Sequence, residues 1–422
     1  MNKPMLCKIL SLLCLIAMLT QLLCACGTQE PTATVEVTST AIQEETAATE
    51  VNTNALLPLS QDGKALYKVI RPEVPTPTAL STAMAIREYL CDQSGMDYGM
   101  DTDWFRRGGN PDDVSEYEIL VGQTNRTASA EALGEQKGDT WCVSLIGNRI
   151  VINASYDFLL EDALEYFKSI CIPVNGVMML DTSKCKVEVI PNALSDADIT
   201  LRVGSYNIKN GADVNHEMSK LAEDIVSLNL DIVGLQEVDI GTSRAKKLDT
   251  LKLLAEAAGY PYYAFTKAIN TGGGEYGTAI LSRYPIVYHE SILLNTASGY
   301  EQRAYGHAVI EVNGVNLHFF NSHLSYEKTE IREPQMKQLA EATAVCRGFI
   351  LTADFNTANL AEFKVFGDAV ITNEGKYATY PSSSSAIDNI ILESGWRIVD
   401  SGMLATGKSD HNMLWAEIHY EG

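Results

Sequence analysis

Phe349-Ile350-Leu351-Thr352-Ala353-Asp354-Phe355-Asn356 reads as a short buried strand that ends in polar chemistry. Residues 349–351 are apolar, and a carboxylate, an aromatic ring and a carboxamide follow one another at 354–356. Alternate side chains of a strand share a face, so Asp354 and Asn356 are expected to point one way while Phe355 packs inward. An acid and an amide side by side at a strand end can accept from water and donate to an anion. Asp and Asn are also common turn residues, so the stretch alone reads equally well as a turn. The rest of the chain separates the two readings.

Working outward, five other runs end in comparable residues: Ser205-Tyr206-Asn207, Gly234-Leu235-Gln236-Glu237-Val238, Asn321-Ser322-His323-Leu324, Ala386-Ile387-Asp388-Asn389-Ile390 and Ser409-Asp410-His411. One polar residue at a strand end is ordinary. Six such ends in apolar surroundings exceed what solubility requires. Between them the pattern predicts strands at 201–208 and 231–238 and helices at 216–228 and 244–258, the latter closed by Gly259. Strands follow at 262–268, 277–282 and 286–294, then a hairpin over Asn313-Gly314 and a helix at 333–347. Three strand-like runs close the chain.

The order and spacing of these residues resemble the endonuclease/exonuclease/phosphatase superfamily, of DNase I-like fold, over about residues 199–420. Tyr276-Gly277-Thr278-Ala279-Ile280-Leu281-Ser282-Arg283-Tyr284-Pro285-Ile286, Arg303, Arg332 and Gln335 add to the resemblance. It implies an α/β fold, a four-layer α/β/β/α sandwich with the strand ends at one rim, and a metal-dependent phosphoric ester hydrolase. A phosphodiester is anionic, so an attacking water must meet reduced charge. A hard divalent ion does this, Mg²⁺ with Mn²⁺ as a substitute, held by a few carboxylate or carboxamide oxygens.

The roles implied by the resemblance are specific. Glu237 is the leading metal ligand, with Asn207 and Asp410 as further candidates. Asp354 would orient or deprotonate the attacking water, and Asn356 would donate to a nonbridging oxygen. His323 would stabilise the transition state, and His411 would contact the phosphate or act as acid/base. Asp388 would hold the His411 tautomer. Arg303 is a substrate-contact candidate, with a plain surface charge as the competing reading. His216, His289, His307, His318 and His419 are expected in the core or at the surface. Three positions depart from the family pattern. Ala353 stands where a Gly is frequent, and Asn412-Met413 follows Asp410-His411. Lys209 lies two residues after Asn207, where the apurinic endonucleases carry an acid, and this argues against that branch.

The first half of the chain carries less chemistry. Lys3 and Lys8, an apolar run over 9–23 and Leu23-Cys24-Ala25-Cys26 resemble a bacterial lipoprotein signal. The implied signal peptide is 1–25, with a lipid on Cys26, membrane anchoring and an extracytoplasmic location; an ordinary secretory signal is the alternative. Residues 26–54, rich in Thr, Ala, Glu and Val, read as a disordered tether. Residues 55–191 read as a small α+β domain with helices at 79–91 and 157–170 and a hairpin over Gly147-Asn148. The run Glu118-Ile119-Leu120-Val121-Gly122-Gln123-Thr124-Asn125-Arg126 resembles the noncatalytic domain preceding some glycoside hydrolases, which implies a spacer or a cell-surface glycan binder. A polar linker at 192–198 leads into the domain at 199–422. Cys91, Cys142, Cys171 and Cys185 read as buried hydrophobes or as disulfide partners of unreadable connectivity.

Charge narrows the substrate. The chain carries a net charge of −22, and the part from residue 199 has about nine more acids than bases. A duplex-DNA enzyme presents a basic stripe instead, so no specific duplex DNA binding is expected. A phosphodiester or phosphomonoester of a small or lipid-linked molecule fits the balance best. The alternatives are a secreted surface nuclease, or a glycan-binding surface lipoprotein with an inactive second domain.

Overall fold

The structure is a computed structural model that describes residues 55–113, 117–134, 138–191, 194 and 197–422. The signal peptide, Cys26, the tether and most of the linker lie outside the described residues. Among the described residues no helix is long and apolar enough to cross a membrane, and Cys91, Cys142, Cys171, Cys185 and Cys346 are free thiols.

The region from residue 55 is built on a six-stranded sheet. Its strand order is 186–189, 140–146, 149–154, 118–121, 68–71 and 100–102. The expected hairpin over Gly147-Asn148 is present. The helices foreseen at 79–91 and 157–170 appear as Pro77–Ser94 and Leu160–Ile170, the latter entered through a 3-10 turn at Asp157–Leu159. Thr76 caps the first by accepting from the Ala79 N–H at 3.1 Å. Alternation sorts the strands onto two faces. Val69, Ile119 and Val121 pack under these two helices, while Ile70 and Leu120 pack under a third helix, Thr127–Leu133. The strand pattern had not shown that this sheet runs parallel through its centre, from 149–154 to 100–102. Glu118 and Arg126, at the two ends of the singled-out run, form a buried ion pair at 3.2 Å.

The domain from residue 199 is a four-layer α/β/β/α sandwich. Its strands are β1 (Thr200–Asn207), β2 (Ile232–Ile240), β3 (Tyr262–Thr271), β4 (Gly274–Ser282), β5 (Ile286–Leu293) and β6 (Ala304–Val312). β7 (Val315–His323), β8 (Ile350–Asp354), β9 (Val370–Ile371), β10 (Asp388–Leu392), β11 (Trp396–Leu404) and β12 (Met413–Tyr420) follow. One sheet has the order β3-β4-β2-β1-β12-β11 and the other β5-β6-β7-β8-β10-β9. Side chains of one parity, including Val203, Ile232, Phe319, Ile350 and Ile390, fill the space between the sheets. Those of the other parity meet helices: Leu235 faces α1 (Met218–Ser227) and α2 (Thr250–Ala258). Phe320 and Leu351 face α3 (Thr329–Ala344).

The helix expected from residue 244 begins only at Thr250. Lys246 and Lys247 have positive φ of 56° and 62°, and Asp249 supplies the cap by accepting from the Lys252 N–H at 2.9 Å. A polar seam locks the sheets together. Gln236 Nε2 donates to Asn321 Oδ1 at 2.8 Å, Asn321 Nδ2 donates to the carbonyls of Leu235 and Ala279 at 2.8 Å, and Thr352 Oγ1 donates to Asn321 Oδ1 at 3.1 Å. Gly234 makes this approach possible, because a Cβ there would lie 2.0 Å from Thr352 Oγ1 and 2.6 Å from Asn321 Oδ1.

Candidate active site

Strand register assembles the site. β7 and β8 are parallel with His323 opposite Asp354, and β8 and β10 are antiparallel with Asp354 opposite Asp388. Three of the predicted residues therefore stand in one row across the second sheet. In the first sheet β1 and β2 are parallel, with Asn207 opposite Gln236. Glu237 is aimed by a different device. The pairing of β2 with β4 shifts register between Leu235 and Val238, and Glu237 has φ of 57°. A bulge of this kind re-aims a side chain and terminates pairing locally, here turning the carboxylate toward Asn207.

The groups converge on Asp354. Asn207 Nδ2 donates to Asp354 Oδ2 at 3.0 Å and to Glu237 Oε1 at 3.2 Å. His323 Nε2 and His411 Nε2 lie 3.5 Å and 3.6 Å from the same Asp354 oxygen. His411 Nδ1 donates to Asp388 Oδ2 at 2.8 Å, and the Tyr380 ring lies 4.9 Å from the imidazole. Arg303 is buried, not a surface charge: Nη1 donates to His323 Nδ1 at 2.9 Å and Nη2 pairs with Glu301 at 3.2 Å. An arginine can only donate, so His323 Nδ1 is an acceptor and the ring's proton sits on Nε2, on the Asp354 side.

Asn356 departs from the strand alternation expected of it. β8 ends at Asp354, and Asn356 adopts φ of 53° in a turn whose N–H donates to Asp354 Oδ1 at 2.9 Å. Its Nδ2 donates to the Leu324 carbonyl at 2.9 Å, so the amide braces the loop after β7 and keeps its second N–H for other partners. Phe355 is fully buried as expected. Asp410 is part-exposed and ion-paired to Lys209 Nζ at 3.2 Å. Lys209 also pairs with Asp213. Arg332 and Gln335 serve the fold: Arg332 makes a buried bidentate pair with Glu362, and Gln335 accepts from the Ser325 N–H.

Electrostatics divides the groups. Burial, reinforced by the Asp388 charge, pushes the Asp354 carboxyl up to about 7 despite His411 and its hydrogen bonds. Burial also raises Glu237, against the Asn207 hydrogen bond. His323 is held well below the ordinary histidine range by burial, the Arg303 guanidinium and His411. For His411 burial works against the charge, but Asp388, Asp354 and Asp410 outweigh it and push the ring up to about 9. The site thus pairs a neutral donor imidazole with a cationic one across a carboxylate that titrates near neutrality.

The donor set suits a hard divalent cation. Glu237 is a buried carboxylate with a raised pKa, a cost that a bound cation would relieve, and the Asp410 carboxylate is close enough to act on its charge. Asn207 turns Nδ2 toward Glu237 while its Oδ1 accepts from the Lys209 N–H at 3.1 Å, so its amide would have to turn to offer an oxygen to a cation. Asp354, Asp388 and His411 also bring ligating atoms within 4.8 Å of one another. Sequence reasoning missed the bulge under Glu237, the clamp of Arg303 on His323 and the tilted contact of the Tyr380 ring with His411.

Residues 204–411 match the model of the Endonuclease/Exonuclease/phosphatase family. No curated protein matches the chain. Among solved structures, an endonuclease/exonuclease/phosphatase from Beutenbergia cavernae is similar at 20% identity, with 53% of this chain and 72% of that one covered and a TM-score of 0.47. A mannosyl-6-phosphatase from Bacteroides thetaiotaomicron is similar at 19% identity, over 52% of this chain and 99% of that one, with a TM-score of 0.41. Sphingomyelinase C from Streptomyces griseocarneus is similar at 20% identity, over 52% and 98%, with a TM-score of 0.39. The family match over 204–411 coincides with the residues that build the four-layer sandwich and its rim, and the second domain of this chain belongs to the endonuclease/exonuclease/phosphatase family.

Proposed function

We propose that the second domain is a Mg²⁺-dependent phosphoesterase acting on a small or lipid-linked phosphodiester or phosphomonoester outside the cytoplasm. The observation that carries this reading is the convergence of Asn207, His323 and His411 on Asp354 Oδ2, with Glu237 alongside. Glu237, with Asn207 and Asp410, would hold the cation. When bound, that cation offsets phosphate charge and polarises the phosphoryl oxygen.

The chain's own residues do the rest. Asp354 orients water and takes its proton, a task suited to a carboxyl near 7. His323 Nε2–H and the His411 imidazolium donate to oxygens on which charge builds in the transition state. Asp388 keeps His411 charged and oriented, and Arg303 does the opposite for His323 by keeping it neutral. Asn356 holds the loop after β7 in place and offers its free N–H to the phosphate.

Acidic composition supports a small or lipid-linked substrate over duplex DNA. Leu23-Cys24-Ala25-Cys26 supports export and lipid anchoring through Cys26. The test is a panel of bis-p-nitrophenyl phosphate, sphingomyelin, inositol phosphates and plasmid DNA, each with Mg²⁺ and with EDTA. Turnover of the small or lipid substrates that EDTA abolishes supports the proposal. Preferential cleavage of plasmid DNA replaces it with the nuclease reading.

A further inference from the structure

A second cluster of ligating side chains lies away from the active site, between the two domains. His307 on β6 and His318 on β7 are almost completely buried, and Cys346 follows α3 at 5% exposure. Each imidazole has one nitrogen committed to a carboxylate. His307 Nδ1 lies 3.0 Å from Glu290 Oε1, and His318 Nε2 lies 3.1 Å from Asp139 Oδ1, contributed by the first domain. A carboxylate accepts, so both outer nitrogens carry protons. The inner nitrogens, His307 Nε2 and His318 Nδ1, then face each other at 3.0 Å in rings only 17° from parallel. Two lone pairs cannot share that space unless a proton or a metal ion lies between them.

The surroundings favour a metal. Cys346 Sγ completes a set of three ligating atoms that all lie within 4.8 Å of one another. Tyr156 of the first domain places its hydroxyl 2.8 Å from that sulfur. Two Zn–N bonds of about 2.0–2.1 Å at a tetrahedral angle put their nitrogens about 3.3 Å apart, close to the spacing present. Carboxylates on the outer nitrogens are the usual support of metal-bound histidines. Two imidazoles and a thiolate suit zinc and do not suit magnesium. A cavity of about 210 Å³ lined by Asp139, His318, Asn316 and Arg347 gives an ion a route in.

We propose that His307, His318 and Cys346 form a buried Zn²⁺ site, with Tyr156 as the nearest fourth donor, that ties the first domain to the second. Binding displaces the proton shared by the imidazoles and the Cys346 thiol proton. Two protons leave as one divalent ion enters, so the net charge of the buried cluster is unchanged. No electron transfer is involved.

The test is a titration of the EDTA-treated full-length chain with Co²⁺ alone, followed by optical absorption. The active site offers no thiolate, so a thiolate-to-cobalt charge-transfer band reports this cluster. The band should saturate at one equivalent, disappear on adding Zn²⁺ and persist in Glu237→Gln. It should be absent in Cys346→Ser, and Asp139→Asn should weaken the affinity about 10- to 100-fold. A wild-type chain that gives no such band overturns the proposal without recourse to any variant, as does a band that survives in Cys346→Ser. Neither result bears on phosphoester hydrolysis, which is tested separately.

Discussion

Arg303 Nη1 lies 2.9 Å from His323 Nδ1, and both side chains are buried. This contact leaves the imidazole neutral and directs its one N–H toward Asp354. Arg303→Met should therefore lower kcat about 10²- to 10³-fold, the scale seen when a transition-state donor is lost. The His323 ring should regain a normal titration, read from its ¹⁵N shifts. A merely structural arginine would leave those shifts unchanged.

His411 predicts a pH dependence of stability. Its folded pKa of about 9 is raised above the ordinary value of 6.5, so its pairing with Asp388 stabilises the fold fully below about pH 6.5. That stabilisation, on the order of a few kcal/mol, is lost as the pH rises through about 9. Urea unfolding of EDTA-treated protein across this range should show the decline, and Asp388→Asn should flatten it.

Glu237 predicts opposite effects on activity and stability. Removing the carboxylate proposed to hold the cation should cost several kcal/mol of transition-state stabilisation, so Glu237→Gln should lower kcat/KM by at least about 10³-fold. The same carboxylate is raised by burial, and an acid whose folded pKa is raised destabilises the fold as pH rises past its unfolded value. In EDTA at neutral pH, Glu237→Gln should therefore melt higher than wild type. Scanning calorimetry with parallel rate measurements checks both halves.

Gly234 predicts a packing defect without a chemical one. A methyl group at this position would collide with Thr352 Oγ1 and Asn321 Oδ1. Overpacking of this kind costs about 1–3 kcal/mol. Gly234→Ala should lower the urea midpoint accordingly, and the loss should shrink when Thr352→Ala is added.

Much of this was legible from strand ends. Asn207, His323, Asp354, Asp388 and His411 stood out because polar residues closed apolar runs, and the register then placed three of them in one row. Glu237 was legible as a residue but not as a geometry, since a bulge depends on how β2 pairs with β4. Asn356 was likewise legible as a residue but not as a geometry, because strand alternation stops where the chain turns to positive φ. The His318–Asp139 contact joins residues 179 apart in sequence, a separation at which no local pattern reports a contact. The sequence leaves His307 and His318 open between core and surface, and both are buried; their alignment between two carboxylates is a product of tertiary structure alone.

The most direct measurement is the rate of bis-p-nitrophenyl phosphate hydrolysis by the wild type and Asp354→Asn, each with Mg²⁺ and with EDTA. Turnover in wild type that requires the metal and falls at least about 10²-fold in Asp354→Asn is the result predicted. No turnover with Mg²⁺ or Mn²⁺, or a full rate in Asp354→Asn, would contradict the account.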